Sequence, residues 1–199
     1  MGTGRRLHIA GLALIAVLAC GGCSRSTSQS STRDGATARL GQHLNHVAGL
    51  EWTTPARWSV GAARPMRVAT YQIPPAAGDS EPAECAVYFF GTGQGGGVEA
   101  NLDRWATQFA QPDGRPAVPQ EKDRTINGIT LHTIHVEGTY LAAGGPMTTV
   151  TQTKPGYAML GAIVEAPQGL VFFKFTGPAK TVSDGQAEFD AMLGSLRRQ

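Results

Sequence analysis

The sequence predicts an α+β domain, with a mostly antiparallel sheet of about six to seven strands covered by two main helices. Three observations carry this. Asn127-Gly128 separates DRTI from ITLHTIHV, and Pro167-Gln168-Gly169 separates two apolar runs, so the chain encodes two hairpins. Two segments, residues 98–109 and 189–196, carry apolar side chains at the helical period. Finally, 26 glycines in 199 residues, with only 16% of side chains charged, favour short elements and many turns over long helices.

Residues 1–19 read as a targeting segment. Arg5 and Arg6 precede the apolar run IAGLALIAVLA. That run is too short for a bilayer core of about 30 Å, which needs about 20 residues, but suits the apolar centre of a signal peptide. It ends at Cys20, and AVLAC resembles the lipobox of bacterial lipoproteins, so Cys20 is the expected lipid attachment site. An ordinary secretory signal cut near Gly22 is the alternative. Cleavage before Cys20 removes two of the 17 basic residues and none of the 15 acidic ones. The mature chain is then formally neutral and has no electrostatic case for nucleic acid. Cys23 and Cys85 would remain in an oxidising compartment, where a disulfide between them competes with Cys85 packing as a small core residue.

After Cys20, residues 20–38 are rich in Ser and Thr and almost without apolar side chains. They read as a disordered tether. Residues 39–48 are ambiguous, since Leu40, Leu44 and Val47 have helical spacing over a short stretch. A single domain spans residues 49–199. GLEWTTPARWSV predicts an extended lead-in and a turn, with Trp52 and Trp58 more suited to a core than to base stacking. MRVATYQIP predicts a strand, residues 75–83 a loop, and CAVYFF a central strand apolar on both faces. Val98, Leu102, Trp105, Ala106 and Phe109 predict a helix closed by Pro112, with Glu99 in its first turn and Asp103 and Arg104 on a solvated face. Residues 111–121 read as loop and 129–140 as a long strand. Residues 142–155 read as an extended loop, and 157–165 and 170–176 as the second hairpin. Phe189, Met192, Leu193 and Leu196 predict the closing helix. Ser183 and Gln186 supply a capping box, and Arg197 and Arg198 complement its negative end.

Gly91, Gly93 and Gly96 fit the dinucleotide fingerprint G-x-G-x-x-G. That fold also needs a parallel βαβ unit and an acidic residue about 20 positions on, where this chain has a proline-rich loop. No Lys-Ser or Lys-Thr follows, so a P-loop is excluded as well. Two readings remain. The glycines form a turn that needs positive φ, or the N–H groups of Gly93, Gly95, Gly96 and Gly97 hold a small anion at the helix N-terminus. His132 and His135 fall on opposite faces of a strand, and His43 and His46 lack further ligands, so no metal is expected. No nucleophile elbow or zinc-protease motif appears, and neither a cofactor nor a catalytic residue is expected.

An early P-x-x-W (Pro55, Trp58), a closing helix entered by TGPAKTV (residues 176–182) and carrying FDAMLGSLRR (residues 189–198), and the order of elements resemble the PsbP/DcrB-like group of α/β/α sandwich domains. The resemblance covers roughly residues 50–198. It implies the sandwich fold and a non-catalytic binding or assembly-supporting role, and it supplies no catalytic residue. The expectation is an exported, lipid-anchored cell-envelope protein facing the periplasm or exterior. It would meet the membrane through its lipid and an envelope protein through its domain. The alternatives are a small-ligand or small-anion binder using residues 91–97, and a hydrolase built from distant residues.

Overall fold

The computed structural model describes residues 45–142 and 152–199, which fall in the compact unit Gln42–Gln199. The expected signal segment, Cys20, Cys23, the tether and residues 39–44 lie outside the described residues, as do residues 143–151. The elements in chain order are β1 (His46–Val47), β2 (Leu50–Glu51), β3 (Ser59–Val60), β4 (Arg67–Ile73), β5 (Ala83–Phe89), α1 (Val98–Ala106), β6 (Phe109–Ala110), β7 (Gln120–Ile126), β8 (Ile129–Ala142), β9 (Gln152–Ala166), β10 (Gly169–Pro178), α2 (Ala179–Gly194) and β11 (Arg197–Arg198).

Eight strands form the main sheet in the order β3-β4-β5-β10-β9-β8, with β6 and β7 both paired to the outer edge of β8. Every pairing is antiparallel. A second sheet of three two-residue strands, β1-β2-β11, joins the two ends of the domain. The predicted α+β class is therefore present, with one more strand in the main sheet than expected. β5 lies between β4 and β10, as its two-sided apolar sequence required.

Strand alternation divides the interior into two cores. On one face, Phe173 and Phe175 of β10 and Tyr71 of β4 pack with Trp52, Trp58, and Phe189, Met192 and Leu193 of α2. Trp52 Nε1 donates to Tyr71 Oη at 2.9 Å, so this indole is buried with its polar atom satisfied. On the other face, Leu102 and Trp105 of α1 pack with Phe109, Ile134, Met159, Ile163 and Phe172. All three tryptophans are core residues.

Several elements depart from the sequence expectation, each for a tertiary reason. α1 ends at Ala106, not near Pro112, and Phe109 belongs to β6. Its backbone pairs with Tyr140, and Leu141 N donates to Gln108 O at 2.8 Å. The free edge of β8 thus captures a segment whose side-chain period alone would continue the helix. α2 begins at Ala179, so Ser183 lies inside it and the predicted capping box is not used. Asp79, distant in sequence, caps it instead, accepting from Thr181 N at 2.9 Å and Thr181 Oγ1 at 2.5 Å. Arg197 and Arg198 do not serve the helix dipole. They form β11, and Arg197 pairs with Glu51 at 2.8 Å. β9 starts at Gln152, so Pro155, expected in a loop, lies within a strand. The register shifts there, between Gly138 and Tyr140 of β8, and such an irregularity tolerates a residue without an N–H. In the ambiguous lead-in, His46 and Val47 are strand, not helix.

Candidate functional site

α1 is only nine residues long. It covers part of its face of the main sheet, and among the described residues no other helix covers the rest. The strand residues that alternate toward this open area are unlike those beneath α1. They include Glu84 and Tyr88 of β5, Lys174 and Thr176 of β10, Tyr140 of β8 and Tyr157 of β9. Together they floor a trough. One hollow of about 220 Å³ lies beside α1, between Arg104, Gln108 and Lys174. A second, of about 310 Å³, shares Tyr88 and Lys174 with it and continues to Glu81 and Tyr157.

Lys174 is the central group. It is the one charged residue in the apolar run LVFFKF. Its ammonium donates to Gln108 Oε1 and lies 5.4 Å from the centroid of the Tyr140 ring. Burial, reinforced by the charges of Arg104 and Arg67, pushes its pKa down to about 8. Arg104, exposed on α1, donates to Asn101 Oδ1. Among the described residues neither cation pairs with a carboxylate. The other charges of the trough are matched. Arg67 donates to Glu84 Oε1 at 2.7 Å, and Glu84 also receives Gln72 Nε2 at 3.2 Å. At the far end, Lys154 Nζ and Tyr157 Oη converge on Glu81 Oε2 at 2.6 and 2.5 Å. The hydrogen bonds from Lys154 and Tyr157 hold the Glu81 carboxyl below its ordinary range.

Two stacked aromatic pairs give the trough flat walls. Tyr88 and Phe90 lie 6.0 Å apart at 13°, and Tyr140 and Tyr157 lie 6.1 Å apart at 7°. One hydroxyl in the floor, Thr176 Oγ1, is sealed from solvent and has no hydrogen-bond partner among the described residues. A buried polar atom left without a partner costs about 1–3 kcal/mol and calls for an explanation. A half-buried cation with a displaced pKa, set in a hollow, marks a candidate binding or reaction site.

A larger cleft of about 660 Å³ lies on the opposite side, between α2 and β7–β8. Its Arg124 and Asp190 are already paired at 2.7 Å, and among the described residues it holds no sealed polar atom without a partner. The trough is therefore the stronger candidate.

The glycines singled out from the sequence lie beside the trough, not in it. Gly91, Gly93, Gly95 and Gly96 all have positive φ, as a left-handed turn requires. Gly97 is the residue before α1, with φ −77°. Asn101 Nδ2 donates to Gly95 O and Gly97 O at 2.9 and 2.8 Å and ties the loop to the helix. A Cβ at Gly95 would stand 2.8 Å from the Phe90 ring and 3.2 Å from Phe172. Gly95 thus seats two aromatic walls of the smaller hollow. The strand after α1 pairs antiparallel to β8, so the fingerprint glycines sit in no parallel βαβ unit.

His132 contacts Asp123 at 2.7 Å and Glu165 at 3.3 Å. His135 lies on the other face, in the α2 cleft. Among the described residues no group of three or more His, Cys, Asp or Glu side chains is arranged to hold a metal. Cys85 is a free, fully buried thiol whose pKa is pushed up by burial. Sequence reasoning placed Arg104 on a solvated face and did not single out Lys174. The lone lysine in an aromatic strand was the available signal.

No family model matches the chain, and a search of curated proteins finds no match. Solved structures similar in outline include two that illustrate the likeness. The solution structure of cyanobacterial PsbP (CyanoP) from Synechocystis sp. PCC 6803 is 10% identical, with a TM-score of 0.43 over 77% of this chain and 95% of that one. PA94 from Pseudomonas aeruginosa, a protein of unknown function, is 10% identical, with a TM-score of 0.44 over 75% of this chain and 97% of that one. The α+β assignment rests on the strand order and helices described above.

Proposed function

We propose that this chain is a lipid-anchored protein of the cell envelope that works as a non-catalytic binding module, with the trough on the α1 face as its recognition surface. The anchor is Cys20, read from the apolar run that ends at Leu-Ala-Cys. A lipid chain contributes about 0.8 kcal/mol per buried methylene, and two chains give stable attachment. The observation that supports the binding role is the part of the α1 face left uncovered among the described residues, where a sheet surface displays charge and stacked tyrosines.

The test uses the full chain isolated from its own membranes. Labelling with an alkyne palmitate is expected to disappear in Cys20→Ala. Native mass spectrometry of the released protein is expected to show a bound species that Tyr88→Ser loses while remaining folded. A wild-type protein without label, or a bound species absent or held equally well by Tyr88→Ser, contradicts the reading.

A further inference from the structure

The smaller hollow has a composition that ordinary packing does not explain. Arg104 and Lys174 face it together, and among the described residues each makes only a neutral side-chain hydrogen bond, to Asn101 and Gln108 respectively. Like charges held close across a partly dehydrated space repel; among the described residues no carboxylate lines this hollow, and Glu84 in the adjoining section offsets the repulsion only in part. Elsewhere in the trough the chain does supply carboxylates, with Glu84 on Arg67 and Glu81 on Lys154. The missing counter-charge is therefore local to this one place. The remaining walls are aromatic: Tyr88, Phe90, Trp105 and Phe172.

We propose that this hollow binds the anionic group of a small molecule, a carboxylate or phosphate held between Arg104 and Lys174, whose flat apolar body lies along Tyr88 and Phe90. The inference rests on the trough being the binding surface and names its ligand chemistry. Arg104 supplies a planar fork and Lys174 a point charge, and both form charge-assisted hydrogen bonds to either anion. The volume fits this division of labour. At about 220 Å³ the hollow is smaller than ordinary small-molecule sites of roughly 300–1,000 Å³. It opens at Tyr88 and Lys174 into the second section of about 310 Å³, which gives the body of the ligand room to extend. Gln108 accepts from Lys174 and so orients the ammonium while the site is empty.

Calorimetry on the full-length protein, with 2-naphthoate, 2-naphthyl phosphate, neutral 2-naphthylmethanol and inorganic phosphate as probes, tests this. Both anionic naphthyl probes are expected to bind at least tenfold more tightly than the neutral one. Whichever binds better identifies the anion. Inorganic phosphate alone is expected to bind more weakly than naphthyl phosphate, because it leaves the aromatic wall unused. Arg104→Gln alters an exposed helix residue and keeps the fold, and it is expected to erase the preference for the anionic probes, as is Lys174→Met. Equal affinity for the neutral probe, no binding of any naphthyl probe, or a preference unchanged in both variants overturns the inference. If the probes bind through Tyr88 alone, losing affinity in Tyr88→Ser but not in Arg104→Gln, the trough remains the binding surface and the anion assignment fails.

Discussion

Gly161→Ala is expected to destabilise the domain by about 1–3 kcal/mol or more, the cost of forcing a methyl group into a filled core. Gly161 lies on β9, between Ile134 of β8 and Lys174 of β10. A Cβ there would stand 2.6 Å from Trp105 Cζ3 and 2.8 Å from Ile134 Cγ2. Neither neighbour yields cheaply, because Ile134 is fixed in the sheet and Trp105 is the main anchor of α1. The indole must move away from the sheet, taking with it one wall of the Lys174 hollow. Urea unfolding of the variant, with Gly194→Ala as the comparison, measures this. A Cβ at Gly194 meets nothing within 4 Å, so that change is expected to alter stability little. A Gly161→Ala protein as stable as wild type contradicts the packing described.

Lys174→Met is expected to act in the opposite direction and stabilise the protein at neutral pH by up to about 3 kcal/mol. The lysine pKa falls from 10.5 to about 8 in the folded chain. At about 1.4 kcal/mol per unit, that displacement is the cost of keeping the ammonium charged in the fold, and partial solvent access reduces it. Methionine fills similar space without the charge. The pH dependence follows from proton counting. Between pH 8 and 10.5 the unfolded chain still holds the lysine proton while the folded chain has released it. Wild-type stability therefore gains a rising contribution with pH across that window, a contribution the variant lacks. The advantage of Lys174→Met is expected to be full below pH 8 and to shrink toward pH 10.5. Denaturation midpoints at several pH values read this directly. A variant less stable than wild type at pH 7 would mean that the ammonium is satisfied where it stands. A residue that lowers stability yet occupies a hollow is what a functional constraint leaves behind.

Much of the fold was legible because its signals are local. Asn127 and Gly128 both take positive φ, as the hairpin between β7 and β8 requires. The two-sided apolar run of β5 announced a central strand, and the helical periods of α1 and α2 marked which faces are buried. What was not legible depends on distant partners. The edge of β8 pulls Phe109 out of a helix its spacing fits. Asp79 caps α2 across 102 residues, so the nearer Ser183 misled. The candidate site has the same character. Lys174 stands out in LVFFKF, but its meaning comes from Gln108, 66 residues earlier, and from Arg104 on a helix too short to cover the face. The glycines were legible as a turn. Their link to the hollow, through Gly95 beneath Phe90 and Phe172, depends on β10 and so needed the folded chain.

The response of Lys174 to an anion tests most directly whether the hollow is built to receive one. Lysine labelled with ¹³C at Cε, with Lys174→Met to assign its resonance, allows that side chain to be titrated alone in the intact protein. The expected result is a midpoint near pH 8 in the free protein, moving upward on saturation with 2-naphthoate as the carboxylate supplies the missing counter-charge. A midpoint at the ordinary lysine value of 10.5, unmoved by the ligand, would contradict both the buried, uncompensated cation and the site built around it.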